Sequence, residues 1–339
     1  MSNKIIPEKL TLGDTIGIVC PSAGINNRAR HRIEGAVKYL ESIGFKVKLG
    51  KSIFVEDREY TSGSIEARVD DLHAMFLDPG VKMILCGTGG NHTDQLLRHL
   101  DYELIKNNPK IFMGYSDITV MHYALYTQAD LITYYGPCAA TQFGEFPQIL
   151  DYSKDSFWNE VVLDATPRVI APSNGWTEEF LDWFQQKDLT RARVLEDNEG
   201  YKIIRCGKVT AKITPTCMMS VNRVAGTKYW INPDNNILVL DVLLSQGELD
   251  FPLLDAYLTD LSNIGVFDNL EGLVVSRLAG FTAQDRTSFY ERLSELTENS
   301  NYPIIGNFDI GHTDPINTLR YDQLMTIDTE SKTPITLLD

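Results

Sequence analysis

The sequence lacks an excess of basic residues. Its 339 residues include 31 lysines and arginines against 46 aspartates and glutamates, which gives a formal net charge of −15. So acidic a chain repels a phosphate backbone or an anionic lipid surface unless its cations are concentrated in one patch, and no such patch occurs. The sequence therefore predicts no nucleic-acid partner and no membrane partner.

Long hydrophobic runs are also missing. The first ten residues contain no apolar core of a signal peptide, and nowhere do about 18 apolar residues follow one another. No low-complexity tract and no internal repeat interrupts the chain. We therefore expect a globular protein of the cytoplasm.

Cysteines are few, and their spacing does not suggest disulfide pairs. The five are odd in number, widely spaced, and include no C-x-x-C pair: Cys20, Cys86, Cys138, Cys206 and Cys217. No H-E-x-x-H or comparable ligand spacing is present either. We expect reduced, buried thiols, no disulfide and no bound metal.

What the sequence does contain is an alternation of apolar runs and amphipathic stretches. Runs at 15–20, 45–49 and 81–86 alternate with stretches whose apolar residues recur every three or four positions, as in a helix. This order is typical of a mainly parallel sheet covered by helices on both faces. Between about residues 164 and 175 the helical period gives way to proline, serine and glycine. We place a linker at 167–175, between a first domain at 1–166 and a second at 176–339.

The stretch 111–118 predicts a buried strand that runs through Gly114 into Ser116 and then into a helix. A serine at such a turn presents its hydroxyl beside the free N–H groups of the helix start, where an oxyanion could be stabilised. Ile118 stands where the G-x-S-x-G motif requires its second glycine, so that motif is not matched. A plain helix cap is the alternative interpretation of Ser116.

A glycine-rich loop, residues 87–91, follows the strand at 81–86. It matches neither the dinucleotide fingerprint nor the Walker loop, which argues against an oxidoreductase or a nucleotide-phosphate site. Gly89 and Gly90 could direct a backbone N–H at the pocket of Ser116, and Asn91 and His92 could touch a substrate there. A purely structural turn remains equally open.

Three further features are candidates for a site. His312 lies in a loop at a predicted strand end, whereas His31, His73, His99 and His122 fall in predicted helices. The strand at 236–241 ends on the carboxylate of Asp241. Trp176 and Trp183 could line a cleft, although aromatic residues are more often core residues.

Together these segments resemble the LD-carboxypeptidase family of serine peptidases, and in particular its microcin-immunity (MccF-like) branch. The similar blocks occur in the family's order and cover most of the chain: residues 13–24, 89–97, 100–119, 176–180, 237–241 and 311–315. The long block ending in Gly-Tyr-Ser-Asp is the most specific of them.

The resemblance implies a catalytic triad of Ser116 as nucleophile, His312 as general base and acid, and Asp241 as the acid that orients the histidine. It implies an oxyanion hole formed by the backbone N–H groups of Asp117 and of the Gly89–Gly90 turn. It also implies hydrolysis of an amide in a small peptide-like substrate, either a peptidyl nucleotide or a muropeptide, without cofactor or metal. The implied fold is a Rossmann-like N-terminal domain and a smaller β-rich α/β C-terminal domain, commonly in a homodimer.

Two departures from the family pattern bear on activity. Asp241 replaces the usual glutamate and is one methylene shorter, so it must approach the histidine more closely. Residues 215–217, Pro-Thr-Cys, stand where relatives carry Gly-Gly-Asn, and proline forbids backbone conformations that glycine adopts. A catalytically silent protein that binds such a ligand without turnover is therefore the alternative function.

Overall fold

The computed structural model describes residues 4–25, 27–55, 60–163, 165–244 and 250–339. Within these ranges the chain forms a six-stranded sheet, an eight-stranded sheet and a two-stranded ribbon. The mixed α/β architecture predicted from the alternation of segments is confirmed.

The first sheet is built mainly from the N-terminal half. Its strands are β1 (Thr15–Val19), β2 (Lys46–Leu49), β3 (Val81–Cys86), β4 (Ile111–Gly114), β5 (Tyr134–Tyr135) and β14 (Leu319–Arg320). The order is β14-β5-β4-β3-β1-β2, and all pairs are parallel except β14 with β5. The accompanying helices are α1 (Arg30–Ser42), α2 (Ile65–Leu77), α3 (Tyr102–Asn107), α4 (Thr119–Gln128) and α5 (Asp151–Val161).

Helix α1 shows why the apolar period predicted these elements. Ile33, Ala36 and Leu40 lie on one face and are fully buried, while the opposite face is charged. Strand β3 is buried along nearly its whole length, as expected for a strand covered on both faces.

The second sheet is built from the C-terminal half and from one short strand that precedes it. Its strands are β6 (Arg168–Val169), β9 (Lys202–Arg205), β10 (Lys208–Cys217), β11 (Ile237–Asp241), β12 (Gly272–Ser276), β13 (Ile304–Phe308), β15 (Leu324–Asp328) and β16 (Ile335–Leu337). The order is β6-β16-β15-β10-β11-β12-β13-β9, with a parallel centre from β10 to β13. Helices α6 (Met218–Val221), α7 (Phe251–Asn263) and α8 (Ala283–Leu296) accompany it, and β7 (Gly175–Trp176) pairs with β8 (Glu196–Asp197) in the ribbon.

The stretch 201–209 is divided between two strands. The stretch 201–209 reads as a single strand in the sequence, but the chain leaves it at Cys206 and Gly207. Strand β9 pairs with β13 at the far edge of the sheet, whereas β10 lies between β15 and β11. The break is required because the two halves of the stretch join different partners.

The two halves of the chain share elements and core. Strand β6 lies inside the expected linker and pairs with β16, and β14 returns to pair with β5 in the first sheet. The larger hydrophobic cluster contains residues of both halves, such as Ile118 and Leu240. The division at residues 167–175 stays a prediction.

Two further findings concern the whole of the described chain. None of its helices combines the length and the apolar character needed to cross a membrane. All five cysteines are free thiols; four are buried, and Cys206, at the break between β9 and β10, is exposed. The expectation that the thiols are buried is therefore wrong for Cys206.

Candidate active site

Ser116 occupies the turn between β4 and α4 with an unusual backbone. Its φ is 63°, in the left-handed region that costs energy for any residue with a side chain. The short 3₁₀ turn Ser116–Ile118 has no side-chain cap, and the serine hydroxyl lies 2.9 Å from Nε2 of His312. The interpretation of Ser116 as a plain helix cap is therefore wrong.

His312 joins this hydroxyl to a carboxylate. It follows β13 by four residues, and its Nδ1 lies 3.1 Å from Oδ1 and 3.0 Å from Oδ2 of Asp241. One ring nitrogen thus faces the serine and the other faces the acid. The three side chains that the sequence proposes as a triad form one continuous hydrogen-bonded chain.

Asp241 is the last residue of β11 and is 1% exposed. The backbone of Gly311 packs directly against its carboxylate, and the Tyr135 hydroxyl donates to Oδ2 at 2.6 Å. The shorter acid therefore reaches the imidazole without an intervening group.

The glycine-rich loop lies against the serine. A β-carbon on Gly89 would be 2.9 Å from Cβ of Ser116 and 3.5 Å from the backbone nitrogen of Asp117. Gly90 has φ +141°, a conformation that glycine adopts readily. Gly89 thus lies close to Ser116, whereas a β-carbon on Gly90 would meet Ser22 and Ala23. The oxyanion hole stays a prediction.

The side chain of Asp117 holds the glycine-rich loop in place through hydrogen bonds. Its buried carboxylate accepts hydrogen bonds from the backbone N–H groups of His92 and Thr93, both at 2.9 Å, and from the Thr93 hydroxyl at 2.8 Å. The Ser22 hydroxyl and the Arg223 guanidinium donate to it as well. Because Asp117 follows the nucleophile candidate directly, loop and serine are held as one unit.

A cavity of about 210 Å³ opens beside His312. Tyr115, Phe180 and Trp183 contribute aromatic surface to it, and Arg32 places its guanidinium 4.5 Å from the centre of the Trp183 ring. The charged groups in its wall are five carboxylates and two guanidiniums: Glu145, Glu178, Glu179, Asp188, Asp314, Arg32 and Arg193. The cavity therefore offers both a flat apolar surface and an excess of negative charge.

The structure separates the other expected substrate residues from this cavity. Trp176 is 5% exposed, and the guanidiniums of Arg277 and Arg286 lie 4.9 and 5.8 Å from its ring centre. It is a core residue, so only Trp183 of the predicted pair faces the cavity.

Asn91 and His92 do not line the cavity either. Asn91 is exposed and its backbone carbonyl accepts a hydrogen bond from Arg223 at 2.7 Å. The His92 ring packs on Tyr60, with ring centres 4.7 Å apart. Both residues serve the loop through their backbone atoms, and neither side chain is placed at the aromatic surface.

Three residues that the sequence did not single out take part in the site. Tyr135 contacts Asp241, Arg223 holds Asp117, and Arg193 bridges Asp314 and Glu145 at 2.7 and 2.9 Å. Of the three, only Tyr135 had a signal in the sequence, because it follows the strand-like run Leu-Ile-Thr-Tyr at 131–134.

Burial governs the titration of the groups around the serine. It raises the pKa of the Tyr135 hydroxyl well above its usual value, and the adjacent Asp241 charge adds to this shift. The pKa of Tyr115 is raised by burial and by Asp314. Both phenols therefore remain protonated donors at neutral pH. Among the described residues, no three histidine, cysteine, aspartate or glutamate side chains are grouped to hold a metal ion.

Comparison with known proteins gives two family matches. The sequence matches the LD-carboxypeptidase N-terminal domain over residues 16–136 and the LD-carboxypeptidase C-terminal domain over residues 210–327. It is 33% identical over 310 residues to the putative carboxypeptidase YocD of Bacillus subtilis, covering 91% of this chain and 92% of that protein. It is 28% identical over 334 residues to the microcin self-immunity protein MccF of Escherichia coli, covering 98% and 95%.

Solved structures agree with these matches over nearly the whole chain. The MccF-like protein of Bacillus anthracis superposes with a TM-score of 0.88 at 34% identity, covering 98% of this chain and 99% of that one. MccF in complex with aspartyl sulfamoyl adenosine superposes with a TM-score of 0.89 at 26% identity, covering 99% and 98%. The two-domain architecture is that of these structures.

Proposed function

This chain belongs to the LD-carboxypeptidase family, and from that membership and the geometry of its site we propose that it is a serine hydrolase acting on a small peptide-like substrate. The observation that carries the proposal is the unbroken contact from the Ser116 hydroxyl through the His312 imidazole to the Asp241 carboxylate. In this proposal Ser116 is the nucleophile, His312 the general base and acid, and Asp241 the group that orients the imidazole.

The first half of the reaction forms an acyl-enzyme. Nε2 of His312 takes the proton from Ser116 as Oγ attacks the amide carbonyl carbon, and the carbonyl oxygen becomes an oxyanion. The N–H groups of Asp117 and of the Gly89–Gly90 turn stabilise that oxyanion. The C–N bond then breaks, and the imidazolium returns the proton to the leaving nitrogen.

The second half releases the acid. A water molecule gives a proton to Nε2 of His312 and attacks the ester carbonyl, again through an oxyanion in the same hole. The ester bond to Ser116 breaks and Oγ recovers its proton from the imidazolium. Asp241 remains ionised throughout and holds Nδ1–H in place.

A peptidyl nucleotide is the first candidate substrate. Trp183 and Phe180, with ring centres 5.5 Å apart, present aromatic surface to the cavity beside His312. Such a surface stacks well against a nucleobase. MccF, which this chain resembles at 26% identity, has been solved with aspartyl sulfamoyl adenosine and with glutamyl sulfamoyl guanosine.

A muropeptide is the second candidate, and the charge of the same cavity favours it. Arg193 offsets Asp314 and Glu145, while Glu178 has a backbone N–H as its hydrogen-bond partner, that of Gly280 at 2.7 Å. An excess of carboxylates suits a substrate with free amino groups. The chain is also 27% identical to a probable murein peptide carboxypeptidase of Bacillus subtilis.

The competing function, a silent binding protein, was suggested by Asp241 and by residues 215–217. The contact between Asp241 and His312 supports turnover, because the shorter acid spans the distance. Pro215 to Cys217 form the end of β10, where the Cys217 N–H donates to the Thr119 hydroxyl at 3.1 Å. They pack on the helix behind the nucleophile, so this departure does not interrupt the proposed triad.

A homodimer and a cytoplasmic location complete the proposal. Five large apolar side chains between residues 180 and 195 are exposed, which supports association with a second copy: Phe180, Phe184, Leu189, Val194 and Leu195. Free thiols are usual in a reducing compartment. Light scattering on the purified protein tests the dimer.

Product analysis tests the hydrolytic proposal. An aspartyl-adenylate analogue with a cleavable amide and an L,D-tetrapeptide from cell wall are each incubated with the wild-type protein and with Ser116→Ala. We expect one substrate to yield a free carboxylic acid with the wild type only. No hydrolysis of either substrate by folded protein would favour the silent binding protein.

A further inference from the structure

Tyr135 is in contact with both ends of the proposed triad. It is the last residue of β5, beside β4, and it is fully buried. Its hydroxyl oxygen accepts the backbone N–H of Ser116 at 3.1 Å, and its proton is donated to Oδ2 of Asp241 at 2.6 Å. The directions are fixed because an amide N–H can only donate and a carboxylate can only accept.

The carboxylate of Asp241 depends on few partners. Among the described residues, its side-chain hydrogen bonds are with Nδ1 of His312 and with Tyr135. A buried carboxylate that loses one of two donors is left partly unsatisfied and free to turn away from the other. The Gly311 backbone confines the carboxylate on one side but is not among the hydrogen-bond donors to it in the described part of the chain.

We propose that Tyr135 is a positioning residue that acts through Asp241, holding this carboxylate in the orientation that aligns His312 with Ser116. The inference rests on the proposed function, since it concerns the same reaction. The contact with Tyr135 also bears on the oxyanion hole. Because the Ser116 N–H donates to Tyr135, the N–H groups of Asp117 and of the glycine turn are the ones left to bind the oxyanion. Tyr135 touches no substrate atom.

Tyr134 provides a matched control. It is the neighbouring residue of the same strand and equally buried, but its hydroxyl has no hydrogen-bond partner within the described part of the chain. Tyr134→Phe therefore removes the same atom as Tyr135→Phe without removing a hydrogen bond.

The test measures the rate at which a fluorophosphonate modifies Ser116 in the full-length protein, divided by the folded fraction from near-ultraviolet circular dichroism. We expect Tyr135→Phe to slow the reaction roughly 10- to 100-fold, the effect of a hydrogen bond to a charged group. Tyr134→Phe is expected to change it by less than about twofold. Asp241→Asn keeps the shape of the acid without its charge and supplies the second arm of a double-mutant cycle.

The cycle separates positioning from a merely structural role. If Tyr135 acts through Asp241, the double variant reacts no more slowly than Asp241→Asn alone. If the two substitutions slow the modification of Ser116 by factors that multiply, the inference is overturned. A Tyr135→Phe rate equal to that of the wild type would overturn it as well, and neither result would affect the proposed function. Wild-type protein that is folded but unmodified would instead overturn the proposed function, and the inference with it.

Discussion

Gly311 and Asp241 are packed so closely that a β-carbon at position 311 would lie 1.9 Å from Oδ1 and 2.3 Å from the carboxyl carbon of the aspartate. Gly311 also has φ +88°, a conformation that other residues rarely adopt. Because His312 follows directly, the glycine permits the imidazole and the carboxylate to meet.

We expect Gly311→Ala to slow hydrolysis on the order of 10³-fold or more, since the added methyl group must displace the acid from the imidazole. The measurement is kcat, together with the midpoint of urea unfolding. Gly13→Ala is the control, because Gly13 has φ +94° with no atom within 4 Å of the added carbon. It should lose roughly 1–2 kcal/mol of stability from backbone strain alone and keep full activity. Equal activities for the two variants would contradict the account.

Arg223 connects the second half of the chain to the glycine-rich loop. It donates to the Asp117 carboxylate and, at 2.7 Å, to the Asn91 carbonyl. Arg223→Ala should lower the free energy of unfolding by roughly 1–3 kcal/mol and slow phosphonylation of Ser116, because a buried carboxylate loses its cation.

Arg223→Lys tests whether geometry or charge matters at this position. A lysine ammonium is a point charge and lacks the fork that reaches two acceptors. We expect the free energy of unfolding of Arg223→Lys to lie close to that of the wild type. Its rate of Ser116 phosphonylation should lie further below the wild-type value. A lysine variant with wild-type rate would show that charge alone suffices.

His122 predicts an acid-sensitive fold. It is completely buried beneath the nucleophile, with Nε2 donating to the Gly114 carbonyl at 2.9 Å, and burial lowers its pKa from 6.5 to about 4. Between these values the unfolded chain binds a proton that the folded chain does not, so stability must fall as the pH falls from 6.5 to 4. The loss amounts to about 3 kcal/mol across that window.

Urea unfolding at several pH values measures this loss. His122→Gln retains a donor for the Gly114 carbonyl but does not titrate, so its stability should fall by about 3 kcal/mol less than that of the wild type over the same window. His99→Gln, at an exposed position, should follow the wild-type curve. Parallel curves for the wild type and His122→Gln would refute the assignment.

Trp183 distinguishes the two candidate substrates. If it stacks on a nucleobase, Trp183→Ala should raise KM for an aminoacyl-nucleotide substrate about 10- to 100-fold. The phosphonylation rate of Ser116 should stay unchanged, because the tryptophan is not in the triad. Phe184→Ala removes an exposed neighbouring ring that is absent from the cavity wall and serves as control. An unchanged KM would favour the muropeptide.

Local pattern predicted much of the fold. The apolar period of α1 and the continuous burial of β3 are properties of neighbouring residues, so the sequence carries them directly. The break between β9 and β10 could not be predicted in this way, because it arises from pairing with β13, about a hundred residues further along.

The candidate site, too, could be predicted only in part from the sequence. Ser116 and His312 stand in recognisable motifs, and Asp241 ends a visible strand. Trp176 and Trp183 look alike in the sequence, and their different burial depends on where Arg277 and Arg32 come to lie. Arg223 carried no signal, because its role exists only once the two halves of the chain pack together.

The most direct test of the proposed triad is the site of modification by a fluorophosphonate. Peptide mass spectrometry of the wild-type protein should find one phosphonyl group, on Ser116, that is absent in Ser116→Ala and strongly reduced in His312→Ala. Folded wild-type protein without this adduct, or with an adduct that His312→Ala leaves undiminished, would contradict the account.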